Sequence, residues 1–341
     1  MTNITLISKY NPGYCLAESL KNYSIQIEPW ECFLLSNPLY IGFQLGGILS
    51  KQNDEISDCV LFENPNLINN FSVNTKSLLV SFHRNDPNHK LYIVQRLLNH
   101  KKTIVRLSDR FLKDKSCSNK CDSFVHVLLT DIRSFNGSQI DENQIDNNTE
   151  LTLELSNTHS TSIPLWKFIE CWSSTQVHPI NTNWYLIIPP KISSDTDLTK
   201  RIIEWALVKE FYKQTQRCGT MLWGVDVVRF FDKKLKTRHT DQDLQKDTMI
   251  WKGSLWPINY PFESYRNFSF SLDCFFRMYG GGGSTIVNSF NDLATVWDGF
   301  QKHLEDNPTI SPEDMHYYYS KIIDYTNYSS DKLGCLIKQW I

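Results

Sequence analysis

"CFFRMYGGGGSTIVNSFNDLATVWDGF", residues 274–300, carries four consecutive glycines, Gly280, Gly281, Gly282 and Gly283, in a chain that has only 14. Three roles compete for them: a phosphate cradle, a flexible linker, and a place where backbones approach closely. A Walker loop needs a lysine directly after its last glycine to reach the phosphates. Here the first lysine after Gly283 is Lys302. A dinucleotide fold needs glycines that open the helix directly, whereas "STIVNSF" reads as a further strand. The linker role conflicts with flanks that read as folded. Phe290, Leu293, Ala294, Trp297, Phe300 and Leu304 are spaced as one face of an amphipathic helix. Asn291 and Asp292 lie at its expected start, and Asn307-Pro308 ends it. A backbone role remains, because glycine admits positive φ and removes a Cβ where another segment must pass. Gly281→Val is then expected to damage folding or assembly, with no ligand affinity to lose.

Outward from the glycines, "YRNFSFSL" reads as an alternating strand with Phe268, Phe270 and Leu272 on one face. Further strands are expected at "SLLVSF", "LYIVQRLL", "TIVRL", "FVHVLLTDI", "LTLEL" and "NWYLIIPPKI", the last stopped by Pro189-Pro190. His126 alternates with apolar neighbours and reads as a satisfied sheet residue. Residues 133–163 are the least apolar stretch and read as a surface excursion. "DLTKRIIEWALVKEFYKQTQR", residues 197–217, sets Ile202, Trp205, Ala206, Lys209 and Phe211 at roughly helical spacing. Periodicity leaves it as either a helix or a strand running into one. "KKLKTR", from Lys233, reads as a solvated loop or a basic import signal.

Composition sets limits on function. Apolar residues at 41% and charged residues at 21% are globular values; 13% aromatic is high, which points to extensive interfaces as well as a core, although a β-rich core by itself accounts for most of it. A net charge of −2 gives no electrostatic case for nucleic acid or an acidic membrane as partner. The opening "MTNITLISKYNPGY" lacks a secretory pattern, and no apolar run reaches the length of a membrane span. Nine cysteines are many for an intracellular chain. The only close pair, Cys117-x-x-x-Cys121, lacks the second pair that structural zinc requires. Buried thiols and bridges between chains both remain open. No nucleophile elbow, His-Glu-x-x-His pair or calcium loop is present. No catalytic residue, metal ligand or cofactor is therefore assigned.

The carboxy-terminal part resembles the baculovirus polyhedrin and granulin family of occlusion-body matrix proteins. The motifs run in order: Trp205 with Lys209, Glu210, Phe211 and Tyr212; then Trp256 and "YRNFSFSL"; then "GGGGSTIVNSFNDLATVWDGFQ" with Asn288. The likeness covers residues 185–305 and is diffuse, as for a divergent, nudivirus-type occlusion protein. It implies a mainly β chain, a jelly-roll antiparallel β-sandwich decorated with helices. Residues 1–180 would be a β-rich extension or insertion, 181–310 the sandwich, and 311–341 a tail or arm. It further implies a homotrimer packed into a crystal around virions, in the nucleus of an infected cell. Cys15, Cys32, Cys59, Cys117, Cys121 and Cys335 are the candidates for bridges between chains.

Alkaline release of such a crystal has its own physical account. Tyr212, Tyr260, Tyr265, Tyr279, Tyr317, Tyr318 and Tyr319, if buried in contacts, would be held neutral. The assembled state would then bind more protons than the free chain, and stability would fall above a phenol's ordinary pKa of about 10. Dissolution is expected at about pH 10–11. The competing classes are another viral structural or host-interaction protein and an enzyme with an unrecognised site. A matrix protein should present several contact patches, and an enzyme one deep polar pocket.

Overall fold

The computed structural model describes residues 12–39, 41–44, 59–61, 66–83, 97, 99, 101–108, 124–133, 145–146, 149–173, 182–188, 196–215, 222–237, 240–255, 261–307 and 309–340. The elements begin with α1 (Pro12–Leu20), α2 (Pro29–Leu35), β1 (Gly42–Gln44), β2 (Cys59–Leu61), α3 (Leu67–Thr75) and β3 (Leu78–His83). Next come β4 (Thr103–Ser108), β5 (Phe124–Arg133), β6 (Glu150–Ser156), β7 (His159–Pro164), α4 (Leu165–Ser173) and β8 (Thr182–Ile188). Helix then dominates: α5 (Thr196–Thr215), the short β9 (Leu222–Trp223), α6 (Val225–Thr237) and α7 (Asp241–Leu255). The last three are α8 (Pro261–Tyr279), α9 (Ser284–Asp306) and α10 (Pro312–Ile337).

The chain divides into two units. One comprises Met1–Ser36, Asn66–Cys117 and Phe124–Thr196. Its six strands form one antiparallel sheet in the order β3-β8-β4-β5-β6-β7. Thr103 to Leu107 of β4 and Val125 to Leu129 of β5 are all buried, as central strands covered on both faces should be. Towards the edge, β6 alternates: Leu151, Leu153 and Leu155 are buried, Thr152 and Glu154 half-buried. Helix α1 packs on β4, β5 and β6, and crosses α2 at Gly13. A Cβ there would stand 2.2 Å from the Pro29 carbonyl oxygen.

The other unit comprises Asn37–Pro65, Ser118–Ser123 and Asp197–Ile341. It holds the three-stranded antiparallel sheet β2-β1-β9 and helices α5 to α10. Here α9 packs between α8 and α10, and α6 lies along α10. The core is aromatic. Trp251 of α7 lies 5.1 Å from Phe231, 5.9 Å from Trp297, 5.5 Å from Phe300 and 6.0 Å from Tyr319, ring centre to ring centre. All five are essentially inaccessible to solvent. Two serines let helices close in: Ser269 Oγ donates to the Val287 carbonyl at 2.7 Å, and Ser329 Oγ to that of Ser289 at 2.9 Å.

The mainly β, jelly-roll expectation is therefore overturned. Helices make up most of the described elements. Among the described residues the first unit has a single sheet packed on helices, and the strands of the second are only two or three residues long. Among the described residues neither unit has the two facing sheets of a sandwich. The misreading has a specific cause. Phe268 and Leu272 are four apart, a spacing that satisfies both the strand period and the helix period. Tyr265 and Phe275, also buried, lie at odd offsets from that pair and fit only the helix. The Arg277–Asp273 ion pair at 2.6 Å, four residues apart, lies on the outer face of α8. Likewise "STIVNSF" is no strand: it forms the first two turns of α9, with Ile286 and Phe290 buried.

Candidate functional site

Phe276 N-terminal to the glycines, and not a ligand, explains the run. The Gly280 N–H donates to the Phe276 carbonyl at 2.9 Å, closing α8, and Val287 N–H to that of Gly283 at 3.0 Å, opening α9. Between these bonds the chain reverses direction. Gly280 has φ +79° and Gly281 φ +130°, conformations that side chains disfavour. Gly283 is confined for a different reason: a Cβ there would stand 1.9 Å from Phe276 Cδ2 and 2.4 Å from Cγ. Nothing approaches within 4 Å of the corresponding position on Gly282. Three of the four glycines thus have a steric reason, and the turn is a helix–helix reversal.

The Trp205 to Tyr212 motif lies wholly on α5. Ile203, Ala206, Leu207, Val208 and Glu210 form its buried face, one position round from the face expected at Ile202 and Trp205. Phe211 packs towards α10, its ring 3.0 Å from where a Cβ on Gly334 would stand. Trp205 is 58% exposed, with Lys209 Nζ 6.0 Å from its ring centre. Leu198, Trp205 and Tyr212, all exposed and seven apart in sequence, form an apolar stripe along the outer side of the helix. Asn288 is exposed near the start of α9. Trp256 lies outside the described residues.

The tyrosines separate into two groups. Tyr265 and Tyr319 are buried inside the second unit, and burial pushes both phenol pKa values up, with the Glu210 charge adding at Tyr265 and Asp247 at Tyr319. Tyr318 is half-buried and raised by desolvation, then by Tyr317 and Asp314. Tyr279 is half-buried, its ring 5.2 Å from Phe275. Tyr212 and Tyr317 are exposed, and Tyr260 lies outside the described residues. Sequence inspection passed over Tyr14 of the first unit. Its hydroxyl donates to Glu154 Oε2 at 3.0 Å, and burial raises its pKa, with that carboxylate adding to the shift.

Beside Tyr319 lies a charged network that sequence reading also missed. Asp247 of α7 is buried and pairs with Lys234 of α6. Desolvation raises the Asp247 pKa, although the lysine opposes it. Asp232 receives His316 Nδ1 at 2.6 Å and Lys236 Nζ at 2.8 Å. These pairs link α6 to α7 and α10, and their signal in sequence is only ordinary helix-surface charge. Comparison with protein-family models and with curated proteins finds no match.

Cys15 and Cys32 are thiols with no exposed surface, so neither offers its sulfur to another chain. Burial, followed by Glu31 and Glu28, pushes the Cys32 thiol pKa well up, which keeps it protonated and inert. Cys335, on α10, is an exposed thiol. Cys117 and Cys121 lie outside the described residues, as does the side chain of Cys59. Among the described residues no three His, Cys, Asp or Glu side chains gather as metal ligands would, and no helix is long and apolar enough to cross a membrane.

Proposed function

We propose that this chain is a structural protein that acts by contact with other protein surfaces, beginning with copies of itself. The observation that carries the reading is the regular display of large side chains on outer helix faces: Leu198, Trp205 and Tyr212 on α5, and Tyr317 and Tyr328 on α10. Single exposed apolar residues are normal. Rows of them along helices are a feature of contact surfaces. The occlusion-matrix resemblance contributes only its class here, a protein that builds an assembly. The described segments that carry the likeness are helical, so its jelly-roll trimer is no part of the proposal.

The test is assembly of the full chain. Light scattering across a wide concentration range should show mass above that of one chain. Trp205→Ser with Tyr212→Ser should reduce that mass while far-ultraviolet circular dichroism stays unchanged. A chain that stays monomeric throughout, or assembly indifferent to loss of the exposed aromatics, refutes the reading. Crystalline bodies in expressing cells would support the occlusion-matrix form. Equal solubility of such bodies at neutral and strongly alkaline pH would remove it.

A further inference from the structure

The outer face of α10 is complementary to its own reversed copy. Six side chains run along it: Tyr317, Lys321, Asp324, Tyr328, Asp331 and Cys335, all exposed. Their spacing of four, three, four, three and four keeps them on one stripe. Tyr317 is 57% and Tyr328 45% exposed, values unusual for rings on a helix that is otherwise well packed. The opposite side of α10 is fully committed: Met315, Tyr319, Ile322, Thr326, Ser329, Leu333 and Ile337 are buried against its own unit.

The stripe is symmetric about position 326: Asp324 and Tyr328 flank it, then Lys321 and Asp331, then Tyr317 and Cys335. A two-fold axis through that point, with the helices antiparallel, sets each residue against its mirror position on the second copy. Lys321 then meets the second copy's Asp331, and Asp331 meets the second copy's Lys321. Asp324 faces the second copy's Tyr328, whose hydroxyl donates to a carboxylate. Each pairing occurs twice, as an isologous contact requires. The lysine is already drawn towards this face, with Lys321 Nζ 5.7 Å from the Tyr317 ring centre.

From this charge complementarity we infer that α10 is the contact through which two copies of the chain pair, antiparallel and two-fold symmetric about position 326. The inference rests on the self-association reading and gives it a geometry. It also bears on Cys335. Eighteen residues separate position 335 from its mirror, position 317, so the two Cys335 sulfurs of the pair lie about 27 Å apart and form no bridge across it.

Charge reversal in the full chain tests the pairing. Lys321→Asp and Asp331→Lys, each alone, place like charges together twice and should weaken association about tenfold. The double variant K321D/D331K restores both pairs and should recover the parent's association. Within one helix the two positions are about 15 Å apart, so rescue can arise only between chains. Sedimentation velocity reads the association, and circular dichroism melts check that each variant folds. A parent that associates while the single reversals change nothing, or a double variant that fails to recover, overturns the pairing and leaves self-association standing. A parent that is monomeric at every concentration overturns both.

Discussion

Replacing each glycine of the α8–α9 turn with alanine, one at a time, should produce four different results from one added methyl group. At Gly283 the new Cβ would stand 1.9 Å from Phe276 Cδ2, against a carbon–carbon contact distance of roughly 3.5 Å. The clash includes Cγ, at the base of the ring, so rotation of the ring tip cannot relieve it. Phe276 is 8% exposed, and the ring must either leave its site or push the turn aside. Expelling a buried phenylalanine costs about 1.5–3 kcal/mol. Forcing the backbone costs about 1–3 kcal/mol. Gly283→Ala should therefore destabilise the second unit by about 2 kcal/mol. Gly280→Ala must hold φ +79°, a left-handed conformation that costs a side chain about 1–2 kcal/mol. Gly281→Ala combines φ +130° with a Cβ 3.3 Å from Phe276 Cδ1, and should cost about 1–3 kcal/mol. Gly281→Val adds bulk at that same position and should cost more than alanine. Gly282→Ala meets nothing within 4 Å and should be neutral, or stabilise by about 0.5 kcal/mol by restricting the unfolded chain.

Urea unfolding followed by tryptophan fluorescence reads this, because Trp251 and Trp297 are buried in the same unit. A double-mutant cycle isolates the cause. In a Phe276→Ala background the ring is gone, and Gly283→Ala should cost less than about 0.5 kcal/mol. A penalty there as large as in the parent would refute the steric account. So would a Gly282→Ala as damaging as Gly283→Ala, since it would make the run a generic flexible hinge.

Two further outcomes follow from the buried charges and phenols. Tyr265 and Tyr319 have pKa values raised by burial, so the folded chain keeps their protons after the unfolded chain has lost them. Their stabilisation is complete below about pH 10 and falls above it by up to about 1.4 kcal/mol per pH unit for each group. Tyr265→Phe with Tyr319→Phe should flatten the alkaline decline of the urea midpoint, and an unchanged slope would show that other groups govern it. The Lys234–Asp247 pair should respond unequally to loss of its two members. Asp247 has a raised pKa, so its ionisation opposes folding at neutral pH, and Asp247→Asn should change stability by less than about 1 kcal/mol. Lys234→Met strands a buried carboxylate and should cost about 3 kcal/mol, and equal thermal shifts for the two variants would contradict the asymmetry.

The first unit was legible where one period alone fitted. "TIVRL", "FVHVLLTDI", "LTLEL" and "NWYLII" all lie in strands of the sheet, because β-branched runs bounded by turn residues admit no helical reading of similar quality. In the second unit, Phe290, Leu293, Ala294, Trp297, Phe300 and Leu304 are all buried on α9, which ends at Asp306, just before Asn307-Pro308. "KKLKTR", expected as a loop or signal, instead runs in α6 as far as Thr237, but the misreadings that bear on fold class flank the glycines. The sandwich was an implication of the family resemblance, and reading "YRNFSFSL" and "STIVNSF" as strands left the glycine run consistent with it. Once both flanks are helices, the same four residues become the reversal of a helical hairpin. A Cβ on Gly283 is then excluded by a ring seven residues back in the preceding helix, on Phe276. That constraint is tertiary: no local propensity at 276 or 283 announces it. The self-complementary face of α10 was hidden for a related reason. Tyr317 and Tyr319 are near neighbours in sequence, yet one is among the most exposed rings and the other is buried. Only the packing of α10 against α6 and α9 separates the tyrosine that stabilises the unit from the one available to a second copy.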